Sequence, residues 1–222
     1  MAHFKVKSKI KQAGFTLVEL LVTITIFVML TGVVLFSQER FNGTIFLSNL
    51  SYDIALTLRQ AQTYGINIRG FVQGTNTSQF VPYGVHFDKA DAAKSFILFA
   101  DLDAQIIEGR VTSDGVFDVA PPYSIDPTTC DDRHGCVKRY VIQKGNYIKD
   151  LCATNSPSCE SDDSVNVLDI VFVRPDPNAI ITKNGNGNNT YNKAVITLSD
   201  ASGDNSRQVI VQENGVVYVK KL

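Results

Sequence analysis

Glu19 is the only acid in an apolar run from Phe15 to Phe36, and no other charge follows it before Glu39. A carboxylate carried into hydrocarbon on a helix costs about 2.5 to 3.5 kcal/mol on insertion scales, so it calls for a cationic partner. No basic side chain between Phe15 and Phe36 supplies one. The nearest candidate is an α-amino group, if the chain is cut after Gly14 and Phe15 becomes the new N-terminus. The other residues able to do chemistry lie farther along. His86 stands in an alternating strand-like run and His134 among cysteines, but neither has a Ser, Cys or carboxylate beside it in a nucleophile or metal motif. No catalytic residue, cofactor or metal is expected from them. Asp101 with Asp103, Asp131 with Asp132, and Asp162 with Asp163 lack the ordered spacing of a calcium loop and read as solvated turn acids.

Cys130, Cys136, Cys152 and Cys159 have C-x5-C and C-x6-C spacings, which do not suit zinc. An even count outside the cytoplasm suggests disulfides. Sequence proximity favours Cys130 with Cys136 and Cys152 with Cys159, whereas crossed pairing would staple the two loops together.

The element that carries Glu19 is long. Phe15 to Phe36 is 22 residues, and at about 1.5 Å per residue it reaches roughly 33 Å, enough to cross a hydrocarbon core of about 30 Å. Before it, Lys5, Lys7, Lys9 and Lys11 stand in a segment with no acid, the pattern of a cytoplasmic flank. An ordinary secretory signal would have a shorter apolar region followed by a small-x-small cleavage site. A plain single-pass anchor explains the lysines and the length but leaves Glu19 unexplained. Beyond Gly14, 17 basic residues face 22 acidic ones, a formal charge of −5. This balance argues against a general nucleic-acid binder, and the Lys138-Arg139 and Lys220-Lys221 pairs read as solvated surface.

After the apolar run, Leu47, Leu50, Ile54, Leu58 and Ala61 recur at helical spacing. One long helix from Phe15 to about Tyr64 is expected, its outer half (37–64) laid on a globular head (65–222), with Gly32 and Gly43 as weak points. The period then changes to short β-branched and aromatic runs at 80–88, 95–100, 106–111, 137–143, 165–173, 193–199, 207–212 and 216–220. Eight strands after one helix indicate an α+β fold. An Asn214-Gly215 turn links the last pair, Pro82 marks an edge or a strand entry, and the Gly- and Asn-rich segment 184–189 is expected to be a mobile loop.

The basic leader, Gly14, Phe15, Thr16, Leu17, Val18, Glu19 and the following apolar helix resemble the class III signal of type IV pilins and pseudopilins. Along the head, Tyr83-Gly84-Val85-His86-Phe87, Phe96 to Asp101, Val171 to Pro175 and the terminal hairpin resemble the GspH/FimT group of minor pilins. The chain departs from major pilins by lacking proline in its helix and by carrying the cysteine region 121–163. The resemblance implies a type IV pilin-like fold with the helix packed on an antiparallel sheet. It implies that a prepilin peptidase in the membrane removes residues 1–14 and methylates Phe15. It further implies that subunits leave the membrane lipid through an inner-membrane platform driven by an ATPase and pack into a fibre, where Glu19 meets a neighbour's N-terminus. Other pilin or pseudopilin subunits are the expected partners, with the leader inside, the head outside and no enzymatic role. A membrane-anchored binding module and a DNA-uptake minor pilin are the alternatives.

Overall fold

The computed structural model describes residues 14–67, 69–73, 77–89, 94–102, 105–107, 110–117, 130, 135–159, 165–187 and 190–222. Among the described residues there is one helix, α1 (Leu17–Ile66), which begins where the Thr16 hydroxyl accepts the Glu19 backbone N–H at 3.3 Å and the Thr16 carbonyl accepts the Leu20 N–H at 3.1 Å. It contains no proline, and Asn67 N–H closes its last turn on the Thr63 carbonyl. Two compact units divide the chain, Met1–Asn42 and Gly43–Leu222, and the helix contributes to both.

In the first unit no residue of Leu17–Leu35 is buried. At about 1.5 Å per residue this stretch of 19 residues is roughly 28 Å long, comparable to a bilayer core. The hydroxyls of Thr23, Thr25 and Thr31 donate to the carbonyls of Leu20, Leu21 and Phe27 at 2.7 to 2.9 Å. Each of these hydroxyls is thereby satisfied inside its own helix, as an apolar solvent demands.

The second unit contains thirteen strands among its described residues: β1 (Gly70–Gln73), β2 (Thr77–Phe80), β3 (Tyr83–Asp88), β4 (Ser95–Ala100), β5 (Gln105–Ile107), β6 (Arg110–Thr112), β7 (Cys136–Val141), β8 (Tyr147–Thr154), β9 (Val167–Phe172), β10 (Ala179–Lys183), β11 (Lys193–Ser199), β12 (Ser206–Gln212) and β13 (Val217–Lys221). They form a five-stranded sheet in the order β10-β9-β3-β4-β7 and a four-stranded sheet in the order β13-β12-β11-β8, with β1-β2 and β5-β6 as separate pairs. All pairings are antiparallel.

Leu47, Ile54, Leu58 and Ala61 are buried in one core with Tyr83, Val85 and Phe87 of β3, Phe96 and Leu98 of β4, and Ile196, Leu198, Val209 and Val211 of the second sheet. Alternation on each strand therefore sends one face of both sheets toward the helix. The expected helical stripe is the buried one, and the α+β architecture with antiparallel sheets is the one expected.

Four details differ from expectation. The strand expected at 80–88 is split, because Pro82 lacks an N–H and separates β2 from β3. The run at 106–111 folds back on itself as β5 and β6. Strands β1, β8 and β10 carry too weak a period to be read: β1 has only four residues, Lys149 and Asp150 break the alternation of β8, and β10 has only five residues. Finally, Asn184 to Gly187 form a tight turn in which Asn186 bridges Lys183 and the Asn184 side chain accepts the N–H groups of Asn166 and Val167. This organised turn replaces the expected mobile loop over the described part of that segment.

Candidate functional site

The N-terminal residues singled out by sequence lie on or just before the exposed part of α1. Gly14 and Phe15 precede the helix, and Phe15 is 73 % exposed. A Cβ on Gly14 would meet nothing within 4 Å among the described residues, so no packing against them requires glycine there. Glu19 sits in the first helical turn, where the helix N-terminus favours a negative charge. Thr16 caps the helix, a role not expected from the sequence. The signal was present: Thr16-Leu17-Val18-Glu19 is the capping-box pattern, a hydroxyl residue followed three positions later by an acid.

Glu19 stands two residues inside Leu17, the first residue of the apolar span. That is about 3 Å along the helix axis. A carboxylate so close to the end of a span can reach toward the interface, so the mid-bilayer penalty overstates its cost while the helix lies in a membrane.

Residues 9–35 match the family described as the prokaryotic N-terminal methylation motif. No curated protein and no solved structure matches the chain. The methylation motif supports a type IV pilin-like precursor, a structural rather than an enzymatic class, and with the apolar helix it fits membrane anchoring. It covers Gly14, Phe15, Thr16 and Glu19 together and ends at Leu35, the last residue of the apolar span.

The head residues considered for chemistry fall into separate places. His86 and Asp169 are register partners on β3 and β9, and His86 Nδ1 lies 2.6 Å from Asp169 Oδ1. Burial pushes the Asp169 carboxyl above its ordinary range, against the hydrogen bond and charge of His86 and the Phe117 backbone amide. His134, Asp103, Asp131, Asp132, Asp162 and Asp163 lie outside the described residues. Asp101 is bonded to the Ser113 hydroxyl. Among the described residues no group of three or more His, Cys, Asp or Glu side chains is placed to hold a metal.

Cys130 is joined to Cys136 and Cys152 to Cys159, with Cα separations of 5.3 and 6.2 Å. Each bond lies on the sheet face that α1 does not cover. The first packs with Ile97, Phe99, Phe117 and Val171 on the five-stranded sheet, the second with Val195 and Ile210 on the four-stranded sheet. Because β-strands alternate, covering one face with a helix leaves apolar side chains on the other. The two disulfides cover part of that remainder. Just before Cys136, Gly135 has a φ of 73°, and a Cβ there would collide with the Ala100 carbonyl oxygen.

The two basic pairs do not form a joint surface. Lys138 lies over the Tyr140 ring at 4.5 Å, Arg139 donates to the Ser95 hydroxyl at 2.6 Å, and Lys220 and Lys221 end β13, an edge strand of the other sheet. Charged residues on edge strands oppose unwanted strand pairing.

Proposed function

We propose that this chain is a minor pilin or pseudopilin, a structural subunit of a type II secretion pseudopilus or a type IV pilus. The observation that carries the reading is the coincidence of the methylation motif with an apolar helix that is unburied along its whole span. An apolar helical span left unburied by the described residues needs a bilayer or other helices around it. A prepilin peptidase removes residues 1–14 and methylates the Phe15 amino group. The subunit starts as a single-pass protein of the inner membrane, with the leader inside and the head outside, and moves from lipid into a fibre through the assembly platform. In the fibre the apolar helices pack together, and Glu19 pairs with a neighbour's positive N-terminus. A buried charge left without such a partner would be strongly destabilising.

Within this class the reading favours the GspH/FimT group, supported by the terminal β12-β13 hairpin through Asn214 and Gly215 and by the Tyr83 to Phe87 strand. The test is mass spectrometry of the N-terminus of the chain purified from its native membrane. An N-methylated Phe15 is expected. A mature chain that keeps residues 1–14 would overturn the reading in favour of an anchored binding module.

A further inference from the structure

On the five-stranded sheet, residues 113–117 cross the face that α1 does not cover. Three contacts hold this strap. The Gly115 carbonyl accepts the buried Thr182 hydroxyl at 2.6 Å, the Ser113 hydroxyl bonds Asp101, and the Phe117 ring packs 4.9 Å from both His86 and Phe99. Gly115 has a φ of 75°, and a Cβ there would stand 2.6 Å from Ile180 Cγ2, so the strap seats closely on β10. Asp169 lies between the two points of contact, in register with His86 on one side and Thr182 on the other. Its carboxyl is fully buried, and Oδ2 has no hydrogen-bond partner among the described residues.

We propose that residues 113–117 form a proton-coupled latch, docked while the His86–Asp169 pair holds a proton and released when the pair loses it. With one shared proton the pair is neutral overall, or a close ion pair, and its 2.6 Å bond is kept. Without that proton a carboxylate is left buried under the strap; His86 and the Phe117 backbone amide of the strap favour its charge, but Oδ2 stays unpaired and burial outweighs both, a costly arrangement away from water. Release of the strap returns water to Asp169.

The direction follows from linkage. Burial holds the Asp169 carboxyl above its ordinary value in the docked state. The docked state therefore binds the proton more tightly, and its advantage is complete at low pH and is lost as pH rises through the raised value. Few other charges face the pair among the described residues. From β3, Asp88 adds to the upward push. β4 presents Ile97 and Phe99, the buried Asp101 just past β4 holds the strap through the Ser113 hydroxyl, and β10 presents Ile180 and Thr182. β7 presents Arg139, held by Ser95. On the strap, Asp114 is exposed and accepts the Val116 N–H.

The test is hydrogen–deuterium exchange of the full chain in detergent micelles between pH 5 and 8, corrected for intrinsic rates and referenced to the β11-β12 hairpin. Protection of 113–117 should be lost progressively as pH rises through the raised Asp169 value, while that of the hairpin stays level. Asp169→Asn should abolish that dependence and stay protected at pH 8. If Asp169→Asn does not fold, His86→Gln serves instead. It removes the imidazolium that favours the ionised carboxylate, so release should move to higher pH. Protection of 113–117 that is independent of pH in the wild type, or pH dependence unchanged in the variant tested, overturns the proposal.

Discussion

Replacing Gly14 by valine should separate what the fold needs from what an external enzyme needs. Gly14 lies before α1, a Cβ there would have no neighbour within 4 Å among the described residues, and its backbone does not adopt the positive φ that favours glycine. Its substitution should therefore change head stability by less than about 0.5 kcal/mol, the range of surface changes that touch nothing. Gly135→Ala is the contrasting control, because a Cβ there meets the Ala100 carbonyl at a φ of 73°. That strain should cost about 1 to 3 kcal/mol or more. The assay pairs denaturant unfolding of the head, followed by circular dichroism, with mass spectrometry of the N-terminus. Gly14→Val should unfold like the wild type and keep residues 1–14, while Gly135→Ala should be cut normally but be less stable. A Gly14→Val chain that begins at Phe15 in wild-type yield would refute the idea that the glycine is read by a peptidase.

Glu19→Gln should be processed normally, and its helix start should hold because glutamine also completes a capping box; recovery in sheared fibres should drop, and wild-type recovery would remove the charge from the assembly argument. Leu58, which is fully buried between the helix and both sheets, should cost about 2 to 5 kcal/mol when cut to alanine, read from denaturant midpoints; a loss below about 1 kcal/mol would mean the helix face is not the core face. Burial alone would raise the Asp200 carboxyl, but bonds from Asn205, Ser202 and two backbone amides outweigh it and hold it below its ordinary value. Its stabilisation is present above the ordinary carboxylate pKa and fades as pH falls through the lower folded value. Asp200→Asn should thus show a shallower acid-unfolding slope in that window, and an unchanged slope would refute the assignment.

Strong periods were legible and weak ones were not. The runs at 95–100 and 193–199 coincide with β4 and β11 because each is rich in β-branched or aromatic residues and has one face in the core. The helical stripe from Leu47 to Ala61 was legible for the same reason. β8 escaped because it is an edge strand whose first half is partly solvated, so its side chains are under less demand to alternate. The N-terminal methylation motif was readable since it is defined by local spacing. The His86–Asp169 pair was not: its members are 83 residues apart, and only the register of β3 on β9 brings them together. Its cover, residues 113–117, has no regular structure and so no period to read.

The same locality changes the meaning of Glu19. Read as a charge in the middle of hydrocarbon it is an anomaly, yet in the first turn of α1 it has a capped helix start and a favourable dipole, worth about 0.3 to 1 kcal/mol. Two residues from the end of the span, it can also keep contact with the interface. These terms make the bilayer state tolerable without any partner. The requirement for a partner arises when the helix start is surrounded by other apolar helices, where the interface is no longer within reach. Glutamine at position 19 would keep the cap and lose the charge, so a defect confined to fibres would locate the pairing in the assembled state and not in the membrane.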